Sequence, residues 1–350
     1  MFASSCTQKK VNFIFLTAAT TVHQVTGSVF SGNEKQGIHY TTTQSESRHI
    51  FRVERCQVTN NGLNPVLSGS IPGAIHLNAS NQVIEIVNNY IAGNNNGGIY
   101  SEVLNEVSTT RPPVSHIHAN TIEYNKGGIL RVEGVSGPYM NVNVSNNYFS
   151  RNLARDLDGK ADSVCVITKL WAIVQGNFFY SNVGHYVFLY DNSQTSTVGL
   201  RFVNNTLYKN SARGLDVNYG ATILCNGTAE IHGNVFQNPN NRYQFSTTMR
   251  GSPITVNATL NWWGENVPNL ISSLIMDKTT DYRLSITVVF QPFVKLPPQR
   301  AISGQYVLDF PGPSLSFMLF RCLTLPAYNE PLLCQNTAQL LQTSIPSQNV

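Results

Sequence analysis

Few side chains in this chain are typed and spaced for chemistry, and the densest acidic group is Asp156-Leu-Asp158-Gly-Lys-Ala-Asp162, preceded by Arg155. Several oxygen ligands in one loop are what a hard cation such as calcium requires, and a pair of carboxylates is what glycoside cleavage requires. Lys160 inside the cluster opposes a cation, so the better account is a solvated loop between strands. Asp156, Asp158 and Asp162 therefore stand only as weak metal candidates, and no catalytic residue or metal ligand is assigned. His116 and His118 lie two apart, as zinc ligands can, but the nearest third ligand one repeat away is Glu85. A polar surface row explains them better.

The six cysteines lack zinc spacing. Cys322 and Cys334 could close a local disulfide in an oxidising compartment, Cys56 reads as a buried thiol, and Cys165 and Cys225 fall too far apart to bridge. Glycosylation sequons begin at Asn78, Asn143, Asn204, Asn226 and Asn257. No cofactor is expected. The 23 Lys and Arg are scattered without a basic stripe, so nucleic acid is not an expected partner.

The elements that must position these groups follow from composition and period. Only 12% of the 350 residues are charged, whereas 39 are Asn, with 25 Gly and 16 Pro. All three types oppose helix interiors, so the chain is not mostly helical. Its 41% hydrophobic content is ample for a core. No apolar run reaches the ~18 residues of a membrane span.

Asn recurs in pairs five residues apart: Asn89 and Asn94, Asn120 and Asn125, Asn147 and Asn152, Asn177 and Asn182, Asn205 and Asn210. Asn234 and Asn261 continue the series, while Cys56 and Ser28 take the first place in two upstream copies. Apolar pairs precede the first Asn by five and three residues, as in Ile84 and Ile86, Val142 and Val144, and Leu200 and Phe202. Polar residues such as Glu85, Asn143, Arg201 and Glu230 fall between or beside them. Period-two alternation marks a strand with one buried face. Ten residues after the first position another apolar residue recurs: Ile38, Val66, Ile99, Leu130, Leu157, Val187 and Leu215.

Strands repeating at this interval without helices between them predict an all-β, single-stranded parallel β-helix of about nine coils of roughly 28 residues. Stacked coils place each Asn over the next, so its amide can donate on one side and accept on the other. The solenoid is expected over residues 20–297. Residues 1–20 read either as a signal-like segment, with Lys9 and Lys10 before Val11 to Leu16, or as a first strand. A short helix is expected where Leu270, Ile271, Leu274 and Ile275 follow Pro268, then a strand over 284–293. Residues 298–350 leave the repeat and form a cap or a foreign tail, with Asn329 as a helix cap.

The Asn turns and the ending Val256-Asn-Ala-Thr-Leu-Asn-Trp-Trp-Gly264 resemble the right-handed parallel β-helix repeat family, of pectin lyase-like fold. The segments Ile271 to Asp277, Asp281 to Leu284 and Phe290 to Val294 resemble the β-helix units of bark beetle-like proteins, membrane-anchored proteins of tricellular junctions. That resemblance implies a right-handed coil and a non-catalytic, extracellular adhesion or junction scaffold. Its partners would be other extracellular or junction proteins, or cell-surface glycans. The full-length proteins' membrane span and cysteine-rich modules are not in this sequence, so it would be a fragment or a short relative.

The fold also carries carbohydrate enzymes, and the alternative is a polysaccharide lyase, a glycoside hydrolase or a glycan-binding module. Asp-Asp and Gly-His-Gly, typical of pectinase-type members, do not occur. An enzyme of this kind would gather Asp156, Asp158, Asp162 and Arg131 into one outer groove.

Overall fold

The structure is a computed structural model that describes residues 5–7, 12–14, 22–42, 50–63, 73–80, 83–104, 114–134, 141–155, 162–192, 199–212 and 220–298. All lie within the unit Met1–Phe310. Asp156, Asp158, Cys322, Cys334 and the tail with Asn329 lie outside the described residues.

Three sheets run the length of a parallel solenoid, with ten, nine and ten strands in the order the chain visits them. Sheet 1 contains Val22–Thr26, Ile50–Glu54, Val83–Val87, Val114–His118, Asn141–Ser145 and their successors. Sheet 2 is built of three-residue strands such as Tyr90–Ala92 and Tyr148–Ser150. Sheet 3 contains Ile38–Thr42, Ile75–Ser80, Ile99–Leu104, Leu130–Gly134 and Cys165–Thr168. Every strand pairs with its equivalent one coil away, because a sequence that returns to the same pattern after one turn repeats the same pairing partners.

The alternation seen in the sequence becomes an interior column. Ile86, Ile117, Val144, Val174, Phe202 and Ile231 stand in register in sheet 1, all buried. Glu85, His116, Asn143, Arg201 and Glu230 point the other way. In sheet 2 the Phe149 and Phe179 rings stack inside, with centroids 4.7 Å apart. Stacking one type on itself fills a rung without voids, because the space above each residue has the shape of the residue.

The Asn ladder is present as expected. Asn147 Nδ2 donates to Asn177 Oδ1 at 3.0 Å and to the Ile117 carbonyl at 2.8 Å. Its own Oδ1 accepts from the backbone N and Nδ2 of Asn120 at 3.0 and 2.9 Å. The same pattern links Asn89, Asn120, Asn147, Asn177, Asn205, Asn234 and Asn261. A second ladder runs through Asn33, Asn61, Asn94, Asn125, Asn152, Asn182, Asn210 and Asn238. Cys56 keeps only part of this role: its backbone N donates to Asn89 Oδ1, while its thiol turns to the carbonyls of Val25 and Glu54.

Several expectations change. Ile38, Ile99 and Leu130 do stack in sheet 3, but the residues in register with them are Ile75, Cys165, Phe188 and Ile223. The fixed spacing of ten instead expects Val66, Leu157, Val187 and Leu215 in those places. Val187 is buried one residue away from its place, and the other three lie outside the described residues. Coils of unequal length insert residues between the Asn turn and sheet 3, so a fixed offset of ten fails there. The ninth coil is incomplete, since Trp262 contributes an isolated bridge to Val235 in place of a full strand.

At the other end, Ser5–Thr7 pairs with Val29–Ser31, and Asn12–Ile14 with His39–Thr41. The short helix spans Pro268–Ser273, with the proline in its first turn. Ile275–Met276 then joins sheet 3 and Ile286–Val289 joins sheet 1.

Candidate functional site

Outward residues of sheet 3 form two rows along the solenoid axis. His39, His76, Tyr100 and Arg131 stand in register in the first row, and Thr41, Asn78, Glu102, Glu133, Thr168 and Asp191 in the second. The strands alternate in and out, so each coil presents one member of each row. The His76 and Tyr100 rings lie 5.0 Å apart at 9°, and the His39 ring meets His76 edge-on at 5.0 Å. Beyond Arg131 the first row turns apolar, with Val166, Leu189 and Leu224. There Leu224 packs with Tyr186, Tyr243, Met276 and Leu284, which leaves the polar part as the more N-terminal half of the face.

Arg131 is the centre of that half. It donates to Glu133 at 3.1 Å and to both oxygens of Asp162 at 3.0 and 3.1 Å. Asp162 also accepts from the backbone N of Ser163. The Tyr100 hydroxyl donates to Glu133 at 3.4 Å. Its pKa is pushed up to about 12, first by burial and then by the charges of Glu133 and Glu102. Burial holds His185 below its ordinary 6.5, against the pull of Asp162, and burial likewise lowers His39.

Of the four groups an enzyme would gather, the structure brings together Arg131 and Asp162; Asp156 and Asp158 fall outside the described residues. Asp162 is bound to a guanidinium, and among the described residues no cluster of three or more metal-ligating side chains is present. His116 faces Glu85 in register, and His118 Nδ1 lies 3.0 Å from Ser145 Oγ, so both belong to the polar row of sheet 1. Arg52 pairs with Glu85 in that row and Arg201 with Glu230 at 3.3 Å.

Asn143 and Asn257 face outward on sheet 1, Asn78 and Asn226 on sheet 3, and Asn204 occupies an exposed turn. The Asn226 amide is engaged by Thr247 and Thr248. Cys56, Cys165 and Cys225 are free buried thiols.

Tyr100, Glu102, Glu133 and His76 were not singled out from the sequence. Their signal lies in Ile99-Tyr-Ser-Glu-Val and Leu130-Arg-Val-Glu-Gly, two strands with polar second and fourth residues.

The chain belongs to the right-handed β-helix family: the pattern described as a right handed beta helix region matches residues 73–260, more than half of its length. No curated protein and no solved structure matches it. Among the described residues no helix is long and apolar enough to cross a membrane.

Proposed function

We propose that this chain is a non-catalytic extracellular β-helix module, a rigid adhesion or junction scaffold that recognises cell-surface glycans through the outer face of sheet 3. The observation that carries it is the row His39, His76, Tyr100 and Arg131 beside Glu102 and Glu133, polar groups repeated coil by coil on one face. A saccharide chain offers hydroxyls at a matching regular interval, and recognition by several directed polar groups suits such a ligand. Rigidity comes from two buried Asn ladders, which hold neighbouring coils in one register. Outward sequons at Asn143, Asn204 and Asn257 suit a chain that passes through the secretory route. The bark beetle-like terminal segment favours a junction over other surfaces.

Non-catalysis is favoured because Glu133 and Asp162 are committed to Arg131. The competing reading is a glycoside hydrolase, and one observation favours it: Glu102 and Glu133 are partners on adjacent strands. Strands lie about 4.8 Å apart, near the spacing of carboxylates in retaining glycosidases.

The test is a binding screen of the full chain against neutral, acidic and amino-sugar oligosaccharides, with product analysis for new reducing ends and unsaturated sugars. Binding that Tyr100→Ala removes, without product, is the expected result. Product formation overturns the scaffold reading, and failure to bind any saccharide overturns glycan recognition.

A further inference from the structure

The C-terminal end of the coil stack closes on itself. In sheet 1 the carbonyls of Ser285 and Val289 accept from Ile254 and Ala258 of the coil before. Alternation along the strand Ile286–Val289 therefore turns the Ile286 carbonyl and the Val288 N–H onward, away from the stack. Both are bonded within the chain: Lys278 N donates to the Ile286 carbonyl at 2.7 Å, and Val288 N donates to Asp277 Oδ2 at 2.8 Å. In sheet 3 the onward carbonyl of Ile275 accepts from Thr280 Oγ1 at 2.8 Å. Beside sheet 2 the onward Asn261 carbonyl accepts from Val294 N at 3.0 Å, and Leu260 N donates to the Pro292 carbonyl at 2.6 Å.

The two Asn ladders end in the same way. Each ladder amide donates to the next coil, so the last one needs an acceptor from elsewhere. Asn238 Nδ2 donates to Gln244 Oε1 at 3.1 Å, and Asn261 Nδ2 donates to the Ala258 carbonyl of its own turn at 2.7 Å. Asp277 is the centre of the closure. This residue is 1% exposed, and its carboxylate also accepts from Thr279 N at 2.8 Å and Thr279 Oγ1 at 2.5 Å. A carboxylate in that place takes up the edge N–H and offers no donor to an incoming strand.

We propose that the turn 277–280 is a terminator that keeps copies of this chain from adding end to end along the solenoid axis. The strand that would add is Val22–Thr26 of a second copy. It begins sheet 1, and among the described residues its strand partner is Ile50–Glu54 alone. Gly27 N donates to the Glu54 carbonyl, so the Gln24 N–H, three residues earlier, faces the other way. Laid on Ile286–Val289, that strand would continue sheet 1 in the parallel sense every coil uses. Such a contact joins unlike surfaces and leaves an outer end free at each side, so it propagates into filaments instead of closing as a dimer. A module with a fixed number of coils requires that end to be shut. This inference stands apart from the glycan reading, since it uses none of the outward side chains of sheet 3.

The experiment is multi-angle light scattering of the full chain over a concentration series, with a melting curve for each variant. The parent is expected to hold one mass. Asp277→Ala, which frees the Val288 N–H, is expected to gain mass with concentration, to about twofold the parent or more. Adding Gln24→Pro to that variant removes an N–H from the incoming edge and should restore the parent mass. Growth that survives Gln24→Pro assigns the contact to another surface and overturns the docking of Val22–Thr26. A cooperatively melting Asp277→Ala that keeps the parent mass overturns the terminator. If Asp277→Ala does not melt cooperatively, Thr280→Val, which frees the Ile275 carbonyl and leaves Asp277 in place, decides by the same mass criterion. A parent that itself grows with concentration, and stops growing with Gln24→Pro alone, also overturns the proposal.

Discussion

Arg131 grips Asp162 from the neighbouring coil through both carboxylate oxygens, at 3.0 and 3.1 Å, and holds Glu133 of its own strand at 3.1 Å. One guanidinium thus ties two coils together on the outer surface and neutralises two carboxylates. The arrangement joins a residue of the strand Leu130–Gly134 to one that precedes the strand Cys165–Thr168.

Replacing Arg131 with Ala leaves Glu133 and Asp162 without their cation, near Glu102. Its side chain is 31% exposed, so solvent screens the network and the loss should be about 1 kcal/mol. Urea unfolding of the variant at low and high salt checks this. A loss above about 3 kcal/mol would mean that the pair carries structure beyond the surface.

Asn147 lies in the middle of the first ladder, and Asn147→Ala removes four hydrogen bonds at once. Buried groups of Asn120, Asn177 and Ile117 lose their partners, which should cost about 2–4 kcal/mol. Equilibrium denaturation measures it. A cost below 1 kcal/mol would show that the coils hold register through their sheets alone.

Ala119 precedes Asn120 with φ of +54°. A left-handed conformation costs a residue with a Cβ about 1–2 kcal/mol, only partly offset by the entropy of Gly. Ala119→Gly is therefore expected to stabilise by about 0.5 kcal/mol, seen as a raised melting temperature. A lowered one would contradict the strain.

The folded-state pKa of His185 lies below 6.5 because burial disfavours the charged ring. Between the folded and unfolded values the unfolded chain binds more protons. The contribution of the neutral ring is therefore complete above pH about 6.5 and is lost as pH falls through the folded value. The urea midpoint should fall below pH 6.5, less steeply in His185→Gln. An identical slope in the variant would assign the effect elsewhere.

Burial pushes the Cys225 thiol up to about 12 and moves Cys165 the same way. Thiolate is the reactive form, so neither should label with a thiol reagent at pH 8 until the chain unfolds. Peptide-resolved mass spectrometry distinguishes them from the other cysteines. Fast native labelling at Cys225 would mean that its coil opens.

The repeat, the inward column from Ile86 to Ile231 and both Asn ladders were legible, because a solenoid converts linear period into vertical stacking. The turn conformation was only partly legible: the left-handed residue before a first-ladder Asn is the favoured Asn or Gly at Asn88, Asn146, Gly176, Asn204 and Gly233, but Ala119 and Leu260 hold it too, as do Tyr124, Arg151, Ser181 and Lys209 before second-ladder Asn residues. There the ladder bonds and the sheet pairing impose the backbone, against local preference in several cases.

Composition and period alone determined that this chain is a parallel β-helix with buried Asn. They could not say which outward residues meet, because that depends on the register between coils of unequal length. Glu102 and Glu133 are 31 residues apart, as are Arg131 and Asp162, yet only the first pair are strand partners. Asp162 precedes its strand, Cys165–Thr168, and reaches Arg131 from outside the run of strand partners. Loop lengths are free of the stacking rule that sets the core, so tertiary structure alone decided where the charged face of sheet 3 would form.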